Sequence, residues 1–367
     1  MVHELVTTLA KWVTKSNQGA LAQNSRKRTK RKSKGKNRNT RYKSTQQQTT
    51  LRGVNLDLLD NEHFGDILLP KLPGILRIFL LNLNCLPLRP TREQNRELSQ
   101  FICNCDADIL LFQELGLFWP KLPPEDQWSE RLHTRANINS NLAYNTTEPD
   151  RTEAVQYGGT AVITKNEATH RFLDSGNDPS GLGHWAWTQI QGQENFRTRF
   201  VSVYRPCSST NDKTSTVYQQ HMRAFSDDRP FDDPRMAILK DLGLAIQEWQ
   251  QEGDCVIIGM DANEDVRSDS LKSFFGKHYM REAILERHPD LSPPATHNRN
   301  HNRQPIDGIW CNRTLTATRA GYFPFNETLP GVDHRGNHLD LTFEQVFGHP
   351  APPLRKPAAR RLKSGDP

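Results

Sequence analysis

The stretch from Asp254 to Asp265, Asp-Cys-Val-Ile-Ile-Gly-Met-Asp-Ala-Asn-Glu-Asp, constrains this chain more than any other. Cys255 to Ile258 is a short, apolar, β-branched run, the composition of a strand buried on both faces in the middle of a sheet. Gly259 is expected to break the run, which leaves Asp261 and Asn263 at the strand's carboxyl end. Extended backbone repeats every two residues, so both side chains turn to one side, an acceptor beside a donor. Taken alone, Asp-x-Asn reads as a polar turn after a buried strand. The other strand-like runs of the chain end in the same way.

Ile75-Leu-Arg-Ile-Phe-Leu-Leu-Asn82-Leu-Asn84 predicts a strand ending in two amides. Thr91-x-x-Gln94 has the form of a capping box and opens a helix through about Cys103, with Leu98, Phe101 and Ile102 on its apolar face. Asp108 to Gln113 is the next buried run, and it delivers Glu114. Residues 116–150, rich in Pro and Asn, read as a long irregular excursion. Strands are expected at about 154–164, 184–191 and 197–204, the last ending in Tyr204-Arg205-Pro206. Trp185 and Trp187 alternate on one of them, which places at least one in the core. Asp233-Pro234 starts a helix that Gly253 stops, its apolar face formed by Ile238, Leu239, Leu242, Ala245, Ile246 and Trp249. Helical fragments near 268–287, a His/Asn/Arg-rich loop at 297–304, Ile306-Asp307, and Asp333-His334 before a final strand near 338–343 complete the pattern. His297 and His301 read as lining a groove or facing solvent.

Apolar residues make up 35% of 367, enough for a core but low for a chain folded throughout. The deficit falls at the amino terminus. Residues 1–25 hold Leu5, Leu9 and Trp12 at helical spacing in a run too short to stand alone, and residues 26–43 carry eleven Lys or Arg with no acid. The chain's net charge is +6 overall, so residues 44–367 are left at −6. The basic character thus belongs to an arm, and the body is mildly acidic, which suits a cluster of metal-binding carboxylates. The division expected is a mostly disordered basic arm and linker (1–73), one domain (74–347) and a Pro-rich basic tail (348–367). Six cysteines without C-x2-C spacing predict neither a disulfide framework nor a zinc site; Cys103 and Cys105 read as packing near a helix end. No apolar run has the length of a membrane span and no signal-peptide core opens the chain, so a soluble intracellular protein, nuclear or cytoplasmic and monomeric, is expected.

In this order, the strand-end motifs resemble those of the endonuclease/exonuclease/phosphatase superfamily, and most of all the apurinic-type endonuclease domain of LINE-like (non-LTR) retrotransposons. The resemblance runs over about residues 75–345. Asn82-Leu-Asn84 resembles the first-strand Asn motif, Gln113-Glu114 the Gln-Glu motif, and Gly158-Gly159-Thr-Ala-Val-Ile the signature of the second sheet. Val203-Tyr204-Arg-Pro206 is similar to Tyr-x-Pro, Asp261-Ala-Asn263 to Asp-x-Asn, Ile306-Asp307 to Ile-Asp and Asp333-His334 to Ser-Asp-His. Two departures stand out: Gly-Met-Asp-Ala-Asn replaces the commoner Gly-Asp-Phe-Asn, and Val332 replaces the usual Ser.

The resemblance implies an α+β fold, a four-layer αββα sandwich of two mixed β-sheets flanked by helices, and Mg²⁺-dependent (or Mn²⁺-dependent) nicking of duplex DNA. It implies Glu114 as principal metal ligand with Asn82 and Asp333 at or beside the metal. Asp261 orients or deprotonates the attacking water, and Asn263 holds it or donates to phosphate. Asp307 fixes the tautomer of His334, whose N–H stabilises the transition state, and Tyr204 donates to the phosphate. Thr296 resembles a position near the substrate. The alternatives are an apurinic/apyrimidinic repair endonuclease, a phosphatase of the same superfamily, and an inactive nucleic-acid-binding module. Against the inositol-lipid phosphatases stands Gly308, where they have Arg.

Overall fold

Four buried runs read from the sequence form two parallel strand pairs, each at the centre of its own sheet. The structure is a computed structural model that describes residues 62–132, 138–149, 153–208, 216–225, 232–298 and 304–350, all within the unit Asn55–Pro367. The basic arm, the Leu5 to Trp12 run, His301 and the Pro-rich tail beyond residue 350 lie outside the described residues.

The first sheet contains β1 (Phe64–Gly65), β2 (Ile75–Asn82), β3 (Ile109–Gln113), β4 (Ile138–Ala143) and β5 (Thr160–Lys165). The second receives β6 (Phe172–Asn177), β7 (Trp185–Gln191), β8 (Arg197–Tyr204), β9 (Asp254–Asp261), β10 (Met280–Glu282) and β11 (Asp307–Asn312), after which β12 (Arg319–Tyr322) and β13 (Asn337–Thr342) return to the first. The orders are β1-β12-β13-β2-β3-β5-β4 and β10-β11-β9-β8-β7-β6. In each sheet only one neighbouring pair is parallel, β2 with β3 and β8 with β9. Parallel neighbours need a long crossover, and each pair has a helix in that role, Arg92–Asn104 in the first and Pro234–Gln251 in the second.

Both crossover helices begin as their sequences dictate. Thr91 and Gln94 form the reciprocal capping box, and Asp233 accepts from the backbone of Arg235 and Met236 ahead of Pro234. Leu98 and Ile102 bury against Leu110 and Phe112 on the outer face of the first sheet, while Leu242, Ile246 and Trp249 bury against Val203, Val256 and Ile258 on that of the second. Between the sheets, Ile78, Leu80 and Leu111 meet Phe200, Ile257 and Ile309. The layers are therefore helix, sheet, sheet, helix, the expected four-layer sandwich of two mixed sheets.

Several local expectations change. The Gly158-Gly159-Thr-Ala-Val-Ile run, read as a signature of the second sheet, leads into β5 beside β3 in the first. Gly259 does not end β9; the strand runs on to Asp261, and the glycine is needed because a Cβ there would sit 2.6 Å from Leu111 and 2.8 Å from Leu80 across the sheet interface. Residues 116–150 are not wholly irregular: they contain a short helix, Trp128–Leu132, and the edge strand β4. Residues 268–287 form two helices separated by β10. Phe64, in the stretch read as arm and linker, is buried where β1 pairs with β12. Trp185 is core, whereas Trp187 is half-buried under the Arg199 guanidinium, 4.0 Å from the ring centre. None of the six cysteines is in a disulfide; Cys103 is exposed and Cys105 half-buried, so only the second packs as expected.

Candidate active site

The carboxyl ends of the two central parallel pairs meet across the sheet interface, and the side chains there join one sheet to the other. Asn82, the last residue of β2, donates from Nδ2 to Asp261 Oδ2, the last residue of β9, at 2.7 Å. Tyr204, the last residue of β8, donates its hydroxyl to Glu114 Oε1, just beyond β3, at 2.6 Å. Below them Gln113 Nε2 donates to Ser202 Oγ, which donates in turn to the carbonyl of Phe112. Strand register supplies the next member: Asp307, the first residue of β11, stands opposite Asp261. Its Oδ2 lies 2.9 Å from His334 Nδ1.

The backbone leaves regular geometry at these strand ends. Glu114 and Asn263 hold the left-handed conformation at φ 51° and 47°, which non-glycine residues adopt only where their surroundings impose it. For Glu114 the surroundings are Gly158 and Gly159, themselves at φ 92° and 86°: Gly159 accepts from Leu115, and Gly158 from Gly116. A Cβ on Gly159 would press on the Ala143 carbonyl at 3.1 Å. Asn263 is held by its backbone N–H to Asp261 Oδ1 (2.9 Å) and its Nδ2 to the Arg205 carbonyl (2.7 Å), and its Oδ1 accepts from the Cys207 thiol.

Electrostatics separate the two acid–base groups. Burial pushes the Asp261 carboxyl up to about 8, with repulsion from Asp307 and Glu114 adding to it and His334 opposing. Burial pulls the His334 imidazole down, but the Asp307 carboxylate and its hydrogen bond, helped by Asp261 and Glu114, outweigh it and raise the ring to about 10. Tyr204 is driven well above its ordinary value by burial and by Glu114 and Asp261, so it remains a donor.

Hydrogen bonds thus join Asn82 and Asn263 to Asp261, Tyr204 to Glu114, and Asp307 to His334, and strand pairing sets Tyr204 and Asp307 on either side of Asp261. Asp333 lies at the edge of the group, its Oδ2 3.4 Å from His297 Nε2. His297, read as lining a groove or facing solvent, is one-fifth exposed there, and its ring is 4.7 Å from that of His334. Thr296 is a positioning residue: its buried hydroxyl accepts from the backbone of Ile306 and Asp307 and sets the start of β11. Asn337, which no motif marked, donates to the Asp307 carbonyl. No spacing rule points to it, because its partner is thirty residues away.

A hard divalent cation fits this donor set. Asp307 Oδ1 is buried with no hydrogen-bond partner among the described residues, and one ligand atom from each of Asp261, Asp307 and His334 lies within 4.8 Å of the others. Carboxylate and amide oxygens are the ligands that Mg²⁺ accepts. Glu114 belongs to neither of the two tight ligand-atom groups; it reaches the site through Tyr204.

Comparison with known proteins reaches the same family. No curated protein sequence matches the chain. Among solved structures, the human Nocturnin catalytic domain with a bound sulfate anion is similar with a TM-score of 0.51 at 16% identity, over 74% of this chain and 95% of that one. The Xenopus laevis APE2 catalytic domain is similar with a TM-score of 0.52 at 16% identity, over 73% of this chain and 92% of that one. At such identity the likeness is one of fold. The family model for the endonuclease/exonuclease/phosphatase family matches residues 80–329, more than half of the chain, which takes in the site residues from Asn82 to Asp307 and stops short of Asp333 and His334, and the protein belongs to that family.

Proposed function

We propose that the protein is a divalent-metal-dependent DNA endonuclease of retrotransposon type that nicks intact duplex. The observation that carries the reading is geometric: a buried carboxylate, Asp261, bonded by Asn82 across the two sheets, stands opposite the Asp307 whose carboxylate holds the buried imidazole of His334 at 2.9 Å. Near neutral pH the imidazole carries a charge, and the carboxyl, a stronger base than an ordinary carboxylate, takes a proton from water in the molecules where it is ionised, a fraction that grows as pH rises through about 8. Hydrolysis of a phosphodiester needs both, a base for water and a cation for the negative charge that develops on phosphorus-bound oxygen.

In this reading Asp261 takes the proton of the attacking water. Asn82 and Asn263 fix the carboxylate's two oxygens so that its free lone pairs point in one direction. His334, held by Asp307, offers its other ring nitrogen to the phosphate as a charged donor, while the one O–H of Tyr204, expected on the phosphate, is given to Glu114 and positions that carboxylate. Glu114, Asn82 and Asp333 would hold Mg²⁺ or Mn²⁺, with Asp307 Oδ1 as an available oxygen, and the bound ion supplies charge neutralisation on the phosphate oxygens. DNA as substrate is supported by the acid-free basic run at residues 26–43, eleven Lys or Arg in eighteen, which suits a polyanion, and by Gly308 where inositol-lipid phosphatases have Arg.

Incubation of the protein with supercoiled plasmid, with Mg²⁺ and with chelator, tests the reading. Relaxed circles formed only with the metal are expected. A companion pair of oligonucleotide duplexes, one with an abasic analogue, decides the subtype: a preference of several hundredfold for the abasic duplex overturns the retrotransposon-type assignment in favour of DNA repair.

A further inference from the structure

The segment around His297 is clamped antiparallel to the segment around His334. The two histidines form a backbone bridge, Asn298 N–H donates to the Asp333 carbonyl at 3.0 Å, and Arg335 N–H donates to the Thr296 carbonyl at 2.7 Å. This fixes three side chains of metal-ligating type on one spot. A ring nitrogen of His297, a carboxylate oxygen of Asp333 and a ring nitrogen of His334 all lie within 4.8 Å of one another. The measured pair, His297 Nε2 to Asp333 Oδ2, is 3.4 Å apart. That is longer than a well-formed N–H···O bond. It equals the edge of a metal tetrahedron, because two ligands each about 2.1 Å from a central ion are about 3.4 Å from one another.

The third ligand is already oriented. His334 Nδ1 is engaged by Asp307 at 2.9 Å, which leaves Nε2 to bind an ion and reproduces the carboxylate–histidine–metal arrangement that fixes ring and tautomer at zinc sites. Asp333 and His334 are buried while His297 is one-fifth exposed, so a fourth position can open towards solvent.

We propose that His297, Asp333 and His334 form a site for a borderline divalent cation, Zn²⁺ foremost. Two imidazole nitrogens and one carboxylate suit Zn²⁺ and disfavour Mg²⁺, which prefers an octahedron of oxygens. The ion takes the lone pair of His334 Nε2, and a proton leaves the ring for solvent. Zn²⁺ therefore withdraws His334 and Asp333 from the reaction and acts as an inhibitor. The inhibition rests on the function proposed above; the binding does not.

The test uses the full-length protein, freed of metal, titrated calorimetrically with Zn²⁺ and optically with Co²⁺ as a visible probe of tetrahedral coordination. His297→Phe keeps a ring against His334 and deletes the nitrogens; His297→Leu serves if the first variant misfolds. The wild type should bind one Zn²⁺ and develop the Co²⁺ bands. The variant should lose about 100-fold or more in Zn²⁺ affinity and lack the bands. Equal affinity in the two proteins overturns the site. In parallel, Mg²⁺-supported nicking should be alike in both and blocked by Zn²⁺ in the wild type alone. Zn²⁺ binding that depends on His297 without inhibition overturns the inhibitory role, and binding with no nicking by either protein leaves the site standing and overturns the nuclease reading.

Discussion

Replacing Asp307 with Asn removes a charge from the active site while keeping an acceptor for His334 Nδ1, so it isolates what the charge does. With Asp307 ionised, His334 is raised to about 10 against the opposing effect of burial. Without that carboxylate the ring falls back to its ordinary value of about 6.5 or, with burial unopposed, below it, a fall of about 3.5 or more that is worth roughly 4–5 kcal/mol between charged and neutral imidazole. If the charged ring stabilises the transition state by that amount, single-turnover nicking at pH 7.5 falls by about 10³-fold. Stability carries a matching sign. A group whose folded pKa exceeds its unfolded value stabilises fully below about pH 6.5, and the contribution is lost as pH rises through about 10. Urea unfolding of wild type and Asp307→Asn from pH 6 to pH 10 should therefore show a stability gap that narrows as pH rises. A constant gap, or nicking within threefold of wild type, refutes the reasoning.

Further consequences follow from particular contacts. Arg77 and Asp340 form a two-bond buried pair at 2.7 Å on adjacent strands of the first sheet, and Arg77→Met, which strands the carboxylate, should cost about 3–5 kcal/mol by urea unfolding. Thr296→Val leaves two backbone N–H groups without their hydroxyl acceptor and should cost about 1–3 kcal/mol while lowering the nicking rate, since Asp307 starts at that turn. Tyr204→Phe should leave the fold intact by circular dichroism and reduce nicking by about tenfold or more, with Glu114 losing its donor. Deleting residues 26–43 should flatten the dependence of log affinity on log salt by about 0.9 for each phosphate no longer neutralised, with turnover at saturating DNA unchanged.

The strands that position the candidate site were legible because they are central. β2, β3, β8 and β9 are covered on both faces by a sheet and a helix, and burial on both faces leaves a largely apolar run in the sequence, broken by Arg77 in β2 and confined to the second half of β8, around Ser202. Edge strands give no such run. Ile-Asn-Ser-Asn-Leu-Ala in β4 and Phe-Leu-Asp-Ser-Gly-Asn in β6 are mostly half-buried or exposed, so their composition matches that of loops. Polar residues at strand ends were visible one at a time, but which of them touch was not, since Asn82 and Asp261 are 179 residues apart and meet only when the two sheets pack. The left-handed turn at Glu114 was equally hidden, because a glutamate carries no signal for it and the residues that pair with the backbone just after it, Gly158 and Gly159, lie more than forty positions away, just before β5. His297 was underweighted for the same reason. Its neighbour in space, Asp333, is far along the chain, and a histidine in a polar loop is ordinarily a solvated one.

The account's central claim is that Asp261 and His334 act as one catalytic unit, and single-turnover cleavage of one duplex under saturating Mg²⁺ by Asp261→Ala, His334→Ala and the double variant measures it directly. Groups that work on the same step are not additive, so each single variant should lose most of the activity and the double variant little more. Near wild-type cleavage by Asp261→Ala, or losses that multiply in the double variant, would contradict it.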